Sequence, residues 1–240
     1  MVQLICLSAM VFGLPWWYLE HVHFDREGWS AMLRLEVSLT IMNFCHAVLC
    51  SLVTIHVLWR NITVALEVVG LNDVLVLGKS ENAMNYETPG TQRALALTIG
   101  YLLVEFAMQA RLALRNPTAF EKYLTIPQKK QWIVFHGAIA LSFLIAYIGK
   151  TGQLIGLWGN LGEVATIFLH ADSLGYLLEI QSLRRRTPKW VTVSWWMTRA
   201  CPLLGCTVWA LQNVDAKDPW QLIQLGSLVF VGMYNFQTKK

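Results

Sequence analysis

The sequence predicts an all-α fold, a polytopic bundle of about seven transmembrane helices, and three observations carry that prediction. Of the 240 residues, 55% are hydrophobic and only 14% are charged, whereas soluble domains carry about 25% charged residues. The apolar residues gather into seven runs close to the roughly 20 residues needed to cross a bilayer. Inside those runs lie His46, Glu105, His136, Glu163 and His170. A charge at the bilayer centre costs roughly 2.5–3.5 kcal/mol on insertion scales, so such residues turn inward and mark a polar interior.

The first run, 1–19, starts MVQLICLSAMVFGLPWWYLE, with no basic leader and no small-residue cleavage site, and reads as a span that stays. With its loop it makes a first unit, 1–34, and residues 35–240 form the main domain. The second run, 37–59, holds His46 near its middle and His56 near its far end. Within the loop 60–94, the stretch VALEVVGLNDVLVLG (64–78) is apolar but short and carries Glu67 and Asp73. That suits an interfacial or re-entrant segment better than a span. The third run, 95–113, has Glu105 near its centre. A loop, 114–131, leads to the fourth, 132–149, with His136 about one turn inside it. The fifth, 153–178, exceeds one crossing, so its end emerges from the membrane. The sixth, 190–211, contains Arg199, which either snorkels or pairs with a glutamate, and is expected to kink at Pro202. The seventh, 219–235, is uncharged.

The basic residues set the orientation. With seven crossings, thirteen of the 19 Lys and Arg fall on one side and five on the other, with Arg199 inside a span. Positive charge marks the cytosolic side, so the N-terminus is expected to be lumenal and the C-terminus cytosolic. Asn61-Ile-Thr is then a glycosylation triplet on the lumenal side. The eleven tryptophans suit headgroup boundaries, with Trp16-Trp17 and Trp195-Trp196 as candidate anchors. Cys6, Cys45, Cys50, Cys201 and Cys206 all sit in apolar runs without a C-x-x-C pair, so neither a disulfide framework nor a zinc site is indicated. A net charge of +4 is too small and too scattered to argue for nucleic acid.

Depth and helical phase suggest a shared site. His136 and His170 come from different runs yet reach similar depth near the cytosolic boundary. Asn160, Glu163 and His170 are spaced by three and seven residues, which puts them on one helical stripe. Asp172 lies nine residues beyond Glu163, about 900° of rotation, and joins them only if the helix breaks there. Each has a structural reading as well: intramembrane histidines are often satisfied by a neighbouring carbonyl or hydroxyl, and glutamates can act as hydrogen-bonded struts.

At these residues the chain resembles the TLC-domain family, which includes the ceramide synthases. FCHAVLC (44–50), GYLLVEF (100–106), WIVFHGAIALSF (132–143) and NLGEVATIFLHADSL (160–174) carry the likeness. It departs from the synthases where they have paired histidines, since His136 is followed by Gly137. The resemblance implies a six-helix core preceded by one helix, in the endoplasmic reticulum or another endomembrane. It implies a protein that binds or handles lipid and influences membrane lipid composition, with His46, Glu105, Asn160, Glu163 and Arg199 forming its polar interior. The alternative is a ceramide-synthase-like N-acyltransferase using acyl-CoA as co-substrate. There His136 would be the general base, supported by His170 or Asp172. Membrane lipid is the expected partner, no resident cofactor or metal is expected, and self-association into a homo-oligomer is left open. A seven-helix receptor or channel is less favoured: the last run lacks a lysine for a Schiff base, and neither a charge ladder nor an inverted repeat is present.

Overall fold

The computed structural model describes residues 2–23, 29–69, 83–115 and 126–237, and their regular structure is helical, with no strand among the described residues. Helix α1 (Val2–Tyr18) ends in a π-helical turn, Leu19–His23. Helix α2 (Ala31–Arg60) is followed across Asn61 by a short α3 (Ile62–Val68). Then come α4 (Pro89–Arg115), α5 (Ile126–Ile148), α6 (Gln153–Leu161) and α7 (Glu163–Leu177). Helix α8 (Gln181–Trp195) passes through a π-helical turn, Trp196–Ala200, into α9 (Cys201–Asn213), and α10 (Pro219–Gln237) closes the series.

Helical structure covers each of the seven predicted runs. By length and apolarity, two stretches among the described residues meet the requirement for a span, Leu33–Arg60 and Gln153–Leu177, and His136–Ile148 is apolar but shorter. Polar residues dilute others, such as Glu105 and Gln109 in α4 and Arg184–Arg186 in α8.

Several helices begin before their apolar run, because polar capping residues start them. Ser30 accepts a hydrogen bond from the Leu33 amide at 3.2 Å, so α2 starts at Ala31. At α4, Thr88 and Thr91 cap each other reciprocally, Thr88 N to Thr91 Oγ1 at 2.9 Å and Thr91 N to Thr88 Oγ1 at 3.1 Å. Pro89 follows at the first helical position, where its missing amide costs nothing.

Two irregularities alter the predicted run boundaries. The run 153–178 is two helices, broken at Gly162, whose amide turns back to the Gly159 carbonyl at 3.0 Å. The run 190–211 starts at Gln181 and widens into a π-helical turn just before Pro202, where proline leaves the Thr198 carbonyl without its usual i+4 amide. The Cys201 amide bonds the Trp196 carbonyl, five residues back.

The 64–78 stretch is partly described. Ala65 and Val68 of α3 are buried, and Trp158 Nε1 donates to the Ala65 carbonyl at 2.9 Å. Residues 70–82, Asp73 among them, lie outside the described residues. The glycosylation triplet lies at the end of α2, where Asn61 is partly exposed. Asn61 donates from Nδ2 to the Val57 carbonyl at 2.7 Å and accepts from the Tyr86 hydroxyl at 2.5 Å. Its amide thus helps to fix the α2–α3 break. The tryptophan pairs split: Trp16 is buried and Trp17 exposed, while Trp195 is half-buried and Trp196 exposed.

Two apolar clusters hold the bundle. One joins α1, α2, α4 and α5 through Phe12, Trp16, Leu39, Leu95, Ile99 and Phe143. The other joins α2, α3, α6, α9 and α10 through Val57, Val68, Leu154, Leu157, Trp209 and Leu228. Helix α1 thus shares a core with the main domain. It crosses α4 at Gly100, where a Cβ would lie 2.5 Å from Ser8 Cβ and 2.8 Å from the Ile5 carbonyl oxygen. Backbone contact that close leaves no room for any side chain. Gly100→Leu is expected to separate α1 from α4 and to cost roughly 1–3 kcal/mol or more, read as a lowered Tm in detergent, whereas Gly226→Ala, with open space around its Cβ position, should leave Tm near wild type.

Candidate functional site

A cavity of about 400 Å³ lies between the two apolar clusters. Along α6 and α7 its wall runs from Ile155 to His170, on the order of 20 Å at about 1.5 Å per residue. Helices α2, α4, α5, α6, α7, α9 and α10 contribute, together with the π-helical turn before α9.

His46, Glu105, His136, Asn160, Glu163, His170 and Arg199 all line this cavity. Asp172 does not; on the uninterrupted α7 it accepts a hydrogen bond from the Thr187 hydroxyl of α8 at 2.6 Å. The helix breaks at Gly162, ten residues before Asp172, so Asp172 stays off the stripe of Glu163 and His170. It ties the α7–α8 hairpin.

His46 is 2% exposed. Its ring stacks on Tyr101 with centroids 3.6 Å apart and planes 9° apart, and Phe12 meets its edge at 5.4 Å. The Tyr101 hydroxyl donates to Asn43 Oδ1 at 2.8 Å and is also a hydrogen-bond partner of Glu105, one turn further along α4. Sequence reasoning found His46 and Glu105 but missed Tyr101, the side chain that joins them.

A second chain of contacts orients Asn160. Cys50 Sγ lies 3.2 Å from Thr98 Oγ1, and that hydroxyl donates to Asn160 Oδ1 at 3.1 Å. Asn160 Nδ2 is left without a partner, as are His46 Nε2 and Gln224 Oε1. Gln224, 1% exposed on α10, is the largest omission of the sequence reading. The available signal was Gln221 and Gln224 three residues apart in an otherwise apolar run. Gln221 has a local role, accepting from the Asp215 amide at 2.9 Å.

Arg199 occupies the break between α6 and α7. Its Nη2 donates to the Gly162 carbonyl at 3.2 Å and to Thr166 Oγ1 at 2.9 Å. Thr166 also hydrogen-bonds Glu163, and the guanidinium acts electrostatically on that carboxyl. Gly162 leaves room for this approach, since a Cβ there would sit 3.0 Å from Arg199 Nε. The Gly162 carbonyl, which also accepts the Ala165 amide at 3.1 Å, receives the cation delivered by the π-helical turn, and the paired glutamate faces the cavity.

Behind Gln224, the turn between α5 and α6 is tightly tied. Gly152 N donates to the Met84 carbonyl at 2.7 Å, and Thr91 Oγ1 donates to Gln153 Oε1 at 2.5 Å. Thr91, Thr151 and Gln153 are each no more than 1% exposed. Gly152 holds φ 64°, and a Cβ on it would be 2.8 Å from Gln224 Cγ. Apolar side chains, including Leu102, Ile139, Phe143, Ile155, Leu169 and Leu228, complete the wall. Among the described residues no group of three or more His, Cys, Asp or Glu could hold a metal ion.

No protein-family model, curated protein or solved structure matches this chain. Its chemistry follows from the cavity itself. Removing the guanidinium with Arg199→Met takes a donor from the Gly162 carbonyl and from Thr166 and the opposite charge from beside Glu163, and the expected loss is about 2–3 kcal/mol. Adding Glu163→Gln should recover part of it, as measured by Tm in detergent for the two single variants and the double variant.

Proposed function

We propose that this chain is a multi-pass protein of an internal membrane, of the TLC-domain type, that holds a lipid in its helix-lined chamber and so influences membrane lipid composition. The observation that carries this reading is a cavity of about 400 Å³ whose wall carries both amide, imidazole and carboxyl groups and branched aliphatic and aromatic groups. Such a wall matches an amphiphile, with one surface for a polar head and another for a chain.

The bilayer setting is supported by what stands on the outside. Leu14, Leu52, Trp59, Leu141, Leu204, Leu211 and Met233 are each more than half exposed and belong to α1, α2, α5, α9 and α10. In water these would form apolar patches on several sides of the molecule, well beyond what monomeric soluble proteins expose. Seven crossings, an N-terminus in the lumen, a C-terminus in the cytosol and residence in the endoplasmic reticulum belong to the same proposal. The thirteen-to-five partition of basic residues supports the orientation.

A plug tests the chamber. Gly159 lines the wall, and a Cβ there meets only Phe143 Cζ, at 3.8 Å. Gly159→Phe is therefore expected to fill the space without disturbing backbone packing. Mass spectrometry of detergent-extracted protein should find lipid bound to the wild type and several-fold less bound to the plugged variant at unchanged Tm. Equal lipid content in the two would refute the reading.

A second reading, favoured by His136 and His170 both lining the cavity, is N-acyl transfer from acyl-CoA to a long-chain amine. His136, supported by His170 or Asp172, would take the amine proton as nitrogen attacks the thioester carbonyl; the C–S bond then breaks and the coenzyme A thiolate leaves with that proton as the thiol. The exposed Arg184, Arg185, Arg186 and Lys189 of α8 would attract the coenzyme's phosphates. Transfer of a labelled acyl chain by purified protein, lost in His136→Ala, is the expected result under this reading. Absence of transfer in protein that retains lipid leaves binding as the function.

A further inference from the structure

Three side chains of the chamber wall, His46, Asn160 and Gln224, are each at least 98% buried, and each keeps a polar atom without a partner. Leaving a buried donor or acceptor unpaired is costly, and apolar side chains of the same volume would avoid the cost. They come from three separate helices, and each is fixed from behind. Tyr101 stacks on His46, Thr98 holds the Asn160 oxygen, and the Gly152 backbone packs on Gln224. This is the arrangement of groups preorganised for something else to bind.

The partners already taken on the wall narrow what that is. Arg199 is already committed to Gly162 and Thr166, while Glu105 and Glu163 have Tyr101 and Thr166 as partners. A phosphate or carboxylate head would find no uncommitted guanidinium there. The unpaired atoms are all uncharged: an amide donor, an amide acceptor, and an imidazole nitrogen that serves as either. Gln224 packs at Gly152, and Asn160 lies eight residues along the same helix, about 12 Å at 1.5 Å per residue. A single hydroxyl cannot serve both stations, but a head with two hydroxyls and an ester can.

We propose that the chamber selects a single-chain neutral lipid of the monoacylglycerol class, its glyceryl head seated among His46, Asn160 and Gln224 and its chain laid along Leu102, Ile139 and Leu169. This rests on the lipid-binding reading above and adds the head group to it. The test uses the full chain in detergent and a C18 monoacylglycerol probe bearing a diazirine and an alkyne. Unlabelled monooleoylglycerol, oleic acid, oleylamine and lysophosphatidylcholine of the same chain serve as competitors. Cross-links should map to chamber peptides, and monooleoylglycerol should compete at concentrations about tenfold lower than the other three. In Gln224→Met and in Asn160→Leu that advantage should disappear while competition by oleic acid stays as in wild type. Gln224→Met should also raise the Tm of lipid-free protein, since it deletes an unpaired acceptor at nearly constant volume; a merely structural glutamine would lower it. Equal competition by all four heads, or precedence for a charged one, overturns the head-group assignment and leaves lipid binding standing. A fall in Tm with the preference intact also overturns it. Absence of any labelled chamber peptide overturns both.

Discussion

A polar side chain placed on an apolar helix must find its partners inside the protein, because neither hydrocarbon nor a packed core supplies them. Most of this molecule's internal geometry answers that demand. Tyr101 sits between His46, Asn43 and Glu105; Thr98 sits between Cys50 and Asn160; Thr166 is shared by Arg199 and Glu163. Each link crosses from one helix to another or steps one turn along the same one. Together they stitch α2, α4, α6, α7 and the turn before α9 around one hollow, and the hollow is where the stitching stops.

The two backbone irregularities are coupled through that network. Pro202 removes an amide and the chain widens just before it, which turns Arg199 toward α6 and α7. A glycine at 162 leaves space for that guanidinium, and the carbonyl at the break receives it beside the Ala165 amide. The buried cation is thereby tied to α7 through Gly162 and Thr166.

The sequence made much of this legible, for a physical reason. Ionisable groups in apolar runs are costly, so their inward placement could be inferred for His46, Glu105, His136, Glu163, His170 and Arg199, and helical phase correctly separated Asp172 from the stripe. Helix starts at Ser30 and Thr88 were missed because hydropathy is blind to capping hydroxyls. Gln224, Thr98 and Tyr101 were missed for a related reason: an uncharged polar side chain in an apolar run is common, and only its neighbours in space distinguish a strut from an unpaired group. Asn61 shows what a local motif leaves out: its amide is hydrogen-bonded to the Val57 carbonyl and to Tyr86.

The turn at Gly152 also fixes one stretch of the cavity wall. Its backbone is tied to Met84, Thr91 bonds Gln153 beside it, and a Cβ on the left-handed glycine would meet Gln224 Cγ at 2.8 Å. Any larger residue at position 152 would push Gln224 out of its place in the wall, so the shape of the hollow at that point is set by a residue that does not itself line it.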